Sequence, residues 1–319
     1  MSIIQRRADS GVKSGKYVAA VDMRKQFFST DYGLSFTEKK CNFTYITVAV
    51  AILEDTGNVF VANANDNNNI FVSKDNLATV SVFYPNYDWA DILGIEITRN
   101  GDKLYALSDR YMSILDGQTG ALISKTVMNA SDVLQEFAVS ANGKFIAVAS
   151  KKTIIGSDQY GSSWNISIPI ESSSSTKNQL YDMVMSGDGR CIFYSYVSGS
   201  EDYNGLFRLH SSDGFTTRER ISVAGINDYY VPIRIYVSHT GQHILLCYSS
   251  QGNYISHDFG RSFTALSDMN NTSLFSMSSN GKYIYCINGA ALYRSADYGN
   301  TFSLALSGIN SSYKLAISK

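Results

Sequence analysis

Proline is nearly absent, with 3 residues in 319, and tryptophan occurs only twice. So little proline removes few backbone donors from pairing, and alongside 22 Tyr and 16 Phe the composition favours strands over helices. No apolar run approaches the length of a membrane-spanning helix. Residues 1–16 carry Arg6 and Arg7 without the apolar core of a secretory signal, so the expectation is a soluble chain with no membrane insertion. Charge of either sign is not in excess: 27 Lys and Arg meet 28 Asp and Glu, for a net charge of −1. Nucleic acid is therefore excluded as an expected partner, because its binding leans on clustered Lys and Arg.

Chemistry-bearing signatures are equally scarce. The four cysteines, Cys41, Cys191, Cys247 and Cys286, form no Cys-x-x-Cys pair, and three lie in predicted strands of different repeats, where a small buried thiol is expected rather than a disulfide. There is no Gly-x-Ser-x-Gly elbow, phosphate loop or metal-binding helix. His239 and His243 have a metal-like interval but flank Thr240-Gly241, so they read as exposed turn residues, with His210 and His257 standing apart. Asn65-Asp66-Asn67-Asn68-Asn69 has too few carboxylates for a good calcium site and reads as a solvated hairpin. Neither a metal nor a cofactor is expected.

What is present is one short phrase, repeated. Its clearest copy is Ser295-Ala296-Asp297-Tyr298-Gly299-Asn300-Thr301-Phe302, and it returns at Ser29-Thr30-Asp31-Tyr32-Gly33-Leu34-Ser35-Phe36 and Ser256-His257-Asp258-Phe259-Gly260-Arg261-Ser262-Phe263. A fourth copy starts at Ser157 with Gln159 in place of Asp. Worn or shortened copies lie at Ser73-Lys74-Asp75-Asn76-Leu77, Leu115-Asp116-Gly117 and Ser211-Ser212-Asp213-Gly214. Glycine reaches positive φ at little cost, and Asp, Ser and Thr satisfy nearby amides, so Asp31, Gly33, Asp258, Gly260, Asp297 and Gly299 read as turn chemistry.

Between copies the order is constant: a strand, an Asn-Gly type turn, a strand, a link, a strand, the phrase, and a last strand. Copies recur about every 45 residues, the period of four-stranded propeller blades. The expected fold is all-β, a seven-bladed β-propeller of four-stranded antiparallel blades. Residues 1–319 are expected to form a single domain, with 1–13 as a possible N-terminal arm. The first unit lacks its opening strand, and Tyr313-Lys314-Leu315-Ala316-Ile317-Ser318-Lys319 reads as a strand without partners. Joining that tail to the N-terminal blade completes the seventh sheet and leaves no open edge between blades.

The phrase resembles the Asp-box, or bacterial neuraminidase repeat, of sialidase-like β-propellers, Ser-x-Asp-x-Gly-x-Ser/Thr-aromatic. The resemblance covers nearly the whole chain and implies the propeller fold. The family includes sialidases as well as photosystem assembly factors and sorting receptors. A sialidase would need an arginine cluster and a Phe/Tyr-Arg-Ile-Pro segment before the first box; Gln5-Arg6-Arg7-Ala8 and Asp22-Met23-Arg24 do not match, and Pro232-Ile233-Arg234-Ile235 has the wrong order and place.

The candidate site comes from aligning the innermost strands on the following glycine. Seven residues before it stand Glu136, Asp182 and Arg234 in three successive blades, with Lys314 at the same place in the closing blade. Equivalent positions in a propeller ring the central channel. The loops entering these strands carry Tyr84, Tyr87 and Trp89 with Asp88 and Asp91, and Asp228 with Tyr229 and Tyr230. Flat rings beside carboxylates suit a sugar or peptide surface. The alternative is charge neutralisation in the channel together with inter-blade packing. The expected function is a non-catalytic scaffold that binds a protein or glycan within or outside a larger assembly. The runner-up readings are a sialidase-like glycoside hydrolase and a virion-associated structural or host-contact protein.

Overall fold

The computed structural model describes residues 14–22, 25–40, 47–63, 69–85, 91–128, 134–170, 179–198, 204–227, 230–270, 272, 274–309 and 313–318. Twenty-eight strands among them form seven four-stranded sheets, each antiparallel throughout. Numbered in chain order, blades 1 to 7 have as innermost strands Lys314–Ile317, Thr47–Ile52, Ile92–Ile97, Leu134–Val139, Gln179–Met185, Arg234–Val237 and Phe275–Met277. Each innermost strand touches those of the two neighbouring blades, so the ring is closed. The fold is a seven-bladed β-propeller. Residues 1–13 lie outside the described residues, as does Cys41.

Burial explains why the strands read as they do. Seven apolar clusters fill the seven spaces between adjacent blades, each drawing side chains from two sheets. A sheet covered on both faces has no polar face, so second strands such as Val59–Asn63 and Ile146–Ser150 are buried at every residue. Fourth strands face outward: Thr37–Lys39 and Leu122–Val127 have no fully buried residue. Charged side chains on such edges, as in Arg218–Ile221, discourage pairing with another sheet.

Closure of the ring repeats the local chemistry of the other blades with residues from the two ends of the chain. In blade 4 the turn after the innermost strand is held by Ser140: the Phe145 N–H donates to its Oγ (2.9 Å), its own N–H donates to the Phe145 carbonyl (2.9 Å), and the Gly143 N–H donates to its carbonyl (2.7 Å). In blade 1 the Tyr17 N–H donates to Ser318 Oγ (3.1 Å), Ser318 N–H to the Tyr17 carbonyl (3.0 Å), and Gly15 N–H to the Ser318 carbonyl (3.1 Å). The ladder continues upward as Val18 to Val21 pair with Ile317 to Lys314.

The repeated phrase joins the third strand of each blade to the fourth. At Ser295 the serine Oγ donates to Asp297 Oδ1 (2.8 Å) and accepts the buried Gly299 N–H (2.9 Å). Asp297 Oδ1 takes the Thr301 N–H (3.0 Å) and Oδ2 the Thr301 hydroxyl (2.7 Å). The worn copy at Ser73 keeps the same set, with Leu77 N–H on Ser73 Oγ and both Thr79 donors on Asp75. Leu77 occupies the glycine position at φ 62°, a left-handed conformation that a side chain adopts only at a cost. Where Gln159 replaces Asp, the Gly161 N–H still reaches Ser157 Oγ, but the carboxylate bonds are gone and Ser162 Oγ turns to the Gln159 carbonyl.

Asp297→Ala removes acceptors from Ser295 and Thr301 and is expected to destabilise the protein by about 1 to 3 kcal/mol in denaturant unfolding; an unchanged midpoint would contradict the bonding described. In the copy at Ser256 the Ser262 hydroxyl and amide hold the Asp258 carboxyl down to about 2. A carboxyl lowered on folding contributes stability above its ordinary range, and that stability is lost as pH falls toward 2. Melting temperature should therefore drop less between pH 4 and pH 2 in Asp258→Asn than in the wild type.

Candidate functional site

The register places Glu136, Asp182, Arg234 and Lys314 at one level. Each pairs with the residue six positions beyond the turn glycine of its blade: Glu136 with Ala149, Asp182 with Ser195, Arg234 with Cys247 and Lys314 with Val21. The structure brings the first three together. Arg234 Nη1 lies 4.0 Å from Glu136 Oε1 and 4.0 Å from Asp182 Oδ1. Lys314, separated from Arg234 by blade 7, joins no ion pair among the described residues and is exposed. Because strands begin at this level, the trio sits at the opposite end of the innermost strands from the first turns.

Backbone irregularity aims these side chains. In four consecutive blades the pairing slips by one residue just ahead of this level: between Thr47 and Ala49, Ile92 and Gly94, Leu134 and Glu136, and Leu180 and Asp182. A bulge leaves an extra residue out of the ladder and redirects its neighbours. In blade 5 that residue is Tyr181, whose carbonyl accepts a bond from Arg234 Nη1 at 3.2 Å. Asp182, with 10% of its side chain exposed, is bound from the next blade by the Ile235 N–H on its Oδ2.

Burial sets the charge state of the trio. It pushes the Asp182 carboxyl up to about 6, against the pull of Arg234 and of the Ile235 and Met183 amides. Glu136, with 34% of its side chain exposed, is pushed up to about 8 by loss of solvent and by Asp182, with Arg234 opposing and Glu96 adding to the rise. A single guanidinium thus stands between two carboxyls, one of which holds its proton at neutral pH. The arrangement can donate and accept hydrogen bonds, and it becomes more negative as pH rises.

The other expected residues are placed differently. Trp89 and Tyr229 lie outside the described residues, together with Tyr87, Asp88 and Asp228. Tyr230 is 49% exposed and its N–H closes a turn on the Asn227 carbonyl; no hydrogen bond or ring contact joins it to the trio among the described residues. Glu96 was missed because counting from the glycine lands on Gly94. It lies two residues further along, on the same face of the strand, and same-face alternation was the signal that points to it.

The histidines correct the expectation of an exposed turn pair. His239 and His243 are both half-buried, and the ring partner of His243 is His257, with Nδ1 to Nδ1 at 2.9 Å. His243 also stacks on Tyr298 of blade 7, with ring centroids 4.8 Å apart, and burial holds it down to about 4, helped by His257. Packing between blades, invisible to sequence spacing, decided this. Cys191, Cys247 and Cys286 are free thiols, the last two buried. Among the described residues no helix is long and apolar enough to cross a membrane.

Toward the other end, the channel holds a cavity of about 280 Å³ lined by later residues of the innermost strands and the first residues beyond them, including Glu54, Arg99, His239 and Ser279. Backbone bonds link blades 3, 4 and 5 and blades 6 and 7 at that end: Arg99 N–H to the Ala141 carbonyl, Ala141 N–H to Gly187, and His239 N–H to Ser279, at 2.6 to 2.8 Å.

No protein-family model matches the chain, and no curated protein matches it in sequence. Solved structures do match in shape. A functionally unknown protein from Desulfotomaculum acetoxidans aligns with a TM-score of 0.66 at 13% identity, covering 95% of this chain and 100% of that one. The protein YCF48, bound to D1 peptide, aligns at 0.62 with 10% identity over 88% and 90% of the two chains. Kuenenia stuttgartiensis hydrazine synthase aligns at 0.59 with 14% identity over 97% and 100%. At these identities the likeness is one of fold.

A carboxyl raised on folding costs stability progressively as pH climbs from its ordinary value to its folded value. For Glu136 that window runs from about 4.5 to about 8. Glu136→Gln should match the wild-type melting temperature near pH 4 and exceed it at pH 9; an offset equal at both pH values would refute the assigned environment.

Proposed function

We propose that the chain is a non-catalytic binding propeller that takes a protein or glycan ligand at the face where the innermost strands begin. The observation that carries this reading is the convergence of Glu136, Asp182 and Arg234 from three successive blades, aimed by bulges and partly open to the channel. Tyr230, exposed four residues before Arg234, supplies a flat apolar surface on the same entering loop, and Trp89, Tyr229 and Lys314 complete the proposed rim. The propeller of similar shape that is bound to a peptide supports a peptide as one form of ligand. The hydrogen bonding of the Ser-x-Asp-x-Gly phrase supports kinship with Asp-box propellers. Nothing specific favours hydrolysis: Arg234 is the single guanidinium paired with Glu136 and Asp182 among the described residues.

A surface with two or three carboxyls against one guanidinium selects donor-rich or basic groups. Peptide and glycan arrays probed with the wild type and with the double variant Glu136→Gln, Arg234→Ala test this. The wild type is expected to select a subset of spots, the double variant to bind them roughly tenfold more weakly, a loss of about 1.4 kcal/mol. Binding of a basic peptide should also tighten from pH 6 to pH 9, as Glu136 loses its proton. Identical array patterns for the two proteins would overturn the proposal.

A further inference from the structure

The cavity at the far end of the channel has features of a binding site of its own, apart from the charged trio, which is absent from its lining. Its apolar lining includes the half-buried Val50, Ile97, Val184, Val237 and Leu315 from five blades, and polar groups, among them Glu54, Glu96, Thr98 and Ser279, share the wall. Arg99 reaches the same cavity from the end of the innermost strand of blade 3. The backbone N–H of Arg99 is bonded to the Ala141 carbonyl, but its guanidinium forms no hydrogen bond or ion pair among the described residues, and its Nη2 is buried with no acceptor. Two acidic side chains, Glu54 and Glu96, line the same cavity, and Glu54 accepts the Gly15 N–H on its Oε2. A guanidinium is always charged, and a buried donor without an acceptor is costly, so a ligand that supplies an anion here removes a standing penalty.

We propose that this cavity binds a small organic anion with an aliphatic body, of the medium-chain carboxylate class, with Arg99 holding the carboxylate. A carboxylate matches the two-pronged donor geometry of arginine, and the Val, Ile and Leu side chains of the lining suit an aliphatic body. A volume of about 280 Å³ falls just below the range for drug-sized pockets, roughly 300 to 1,000 Å³, which limits the body to a short chain.

Titration calorimetry of the full chain with sodium octanoate tests the site. Saturable binding at one site is expected. Acetate, which has the head without the body, and octylammonium, which has the body with the opposite charge, should each bind at least tenfold more weakly. Arg99→Gln should weaken octanoate at least tenfold, and Arg99→Lys, which keeps the charge, should recover part of the loss; melting curves of both variants establish that they are folded. Val184→Phe, which narrows the cavity from blade 5, should also weaken octanoate. The proposal is overturned by no octanoate binding to the wild type, by equal affinity in folded Arg99→Gln, or by octylammonium binding as tightly as octanoate.

Discussion

The structure depends on one small set of hydrogen bonds, those that Ser318 makes with Gly15 and Tyr17 across 301 residues of chain. Every other blade forms its first turn within a continuous segment, at a local entropic cost. Blade 1 forms the same turn from two ends, so its bonds act only after six blades have brought those ends together. Its innermost strand then receives neighbours on both sides, and apolar residues such as Val18, Ala20 and Ile317 find their cluster against blade 7.

Closure has a second consequence. With seven sheets packed face to face, every sheet face is consumed by a neighbour, and only the ends of the strands and the channel remain for binding. The two ends are not alike. Where the innermost strands end, blades 3 to 7 are linked by short backbone bonds and each blade closes its first turn with the same backbone pair, which leaves a regular rim. Where they begin, the ladder is interrupted by bulges in blades 2 to 5, and those interruptions free carbonyls and redirect side chains. Glu136, Asp182 and Arg234 meet at that irregular end, and the cost of burying their charges appears as the raised carboxyls.

Much of the fold was legible because its chemistry is local and repeated. Ser, Asp, Gly and Thr of the phrase bond to one another within seven residues, so each full copy marks a turn wherever it occurs. Even the copy at Ser73 keeps its bonds, although Leu77 stands where glycine is usual. The level shared by Glu136, Asp182, Arg234 and Lys314 was also legible, since the turn glycine is a fixed reference in each blade. Glu96 was not, because it stands two residues beyond the level that the glycine selects, and neither was the contact of His243 with His257 within blade 6 or its stacking on Tyr298 across an inter-blade space.

The sequence by itself determined the number of blades, the antiparallel order within them and the joining of the tail to the first blade. These follow from the period of the phrase and from apolar strands that must be covered on both faces. Only the tertiary structure decided which charged residues at one level meet, which keep their protons, and that Arg99 lines the channel cavity with no side-chain partner among the described residues. Those properties arise from distances between blades and from exclusion of solvent, and neither is written in the order of residues along one strand.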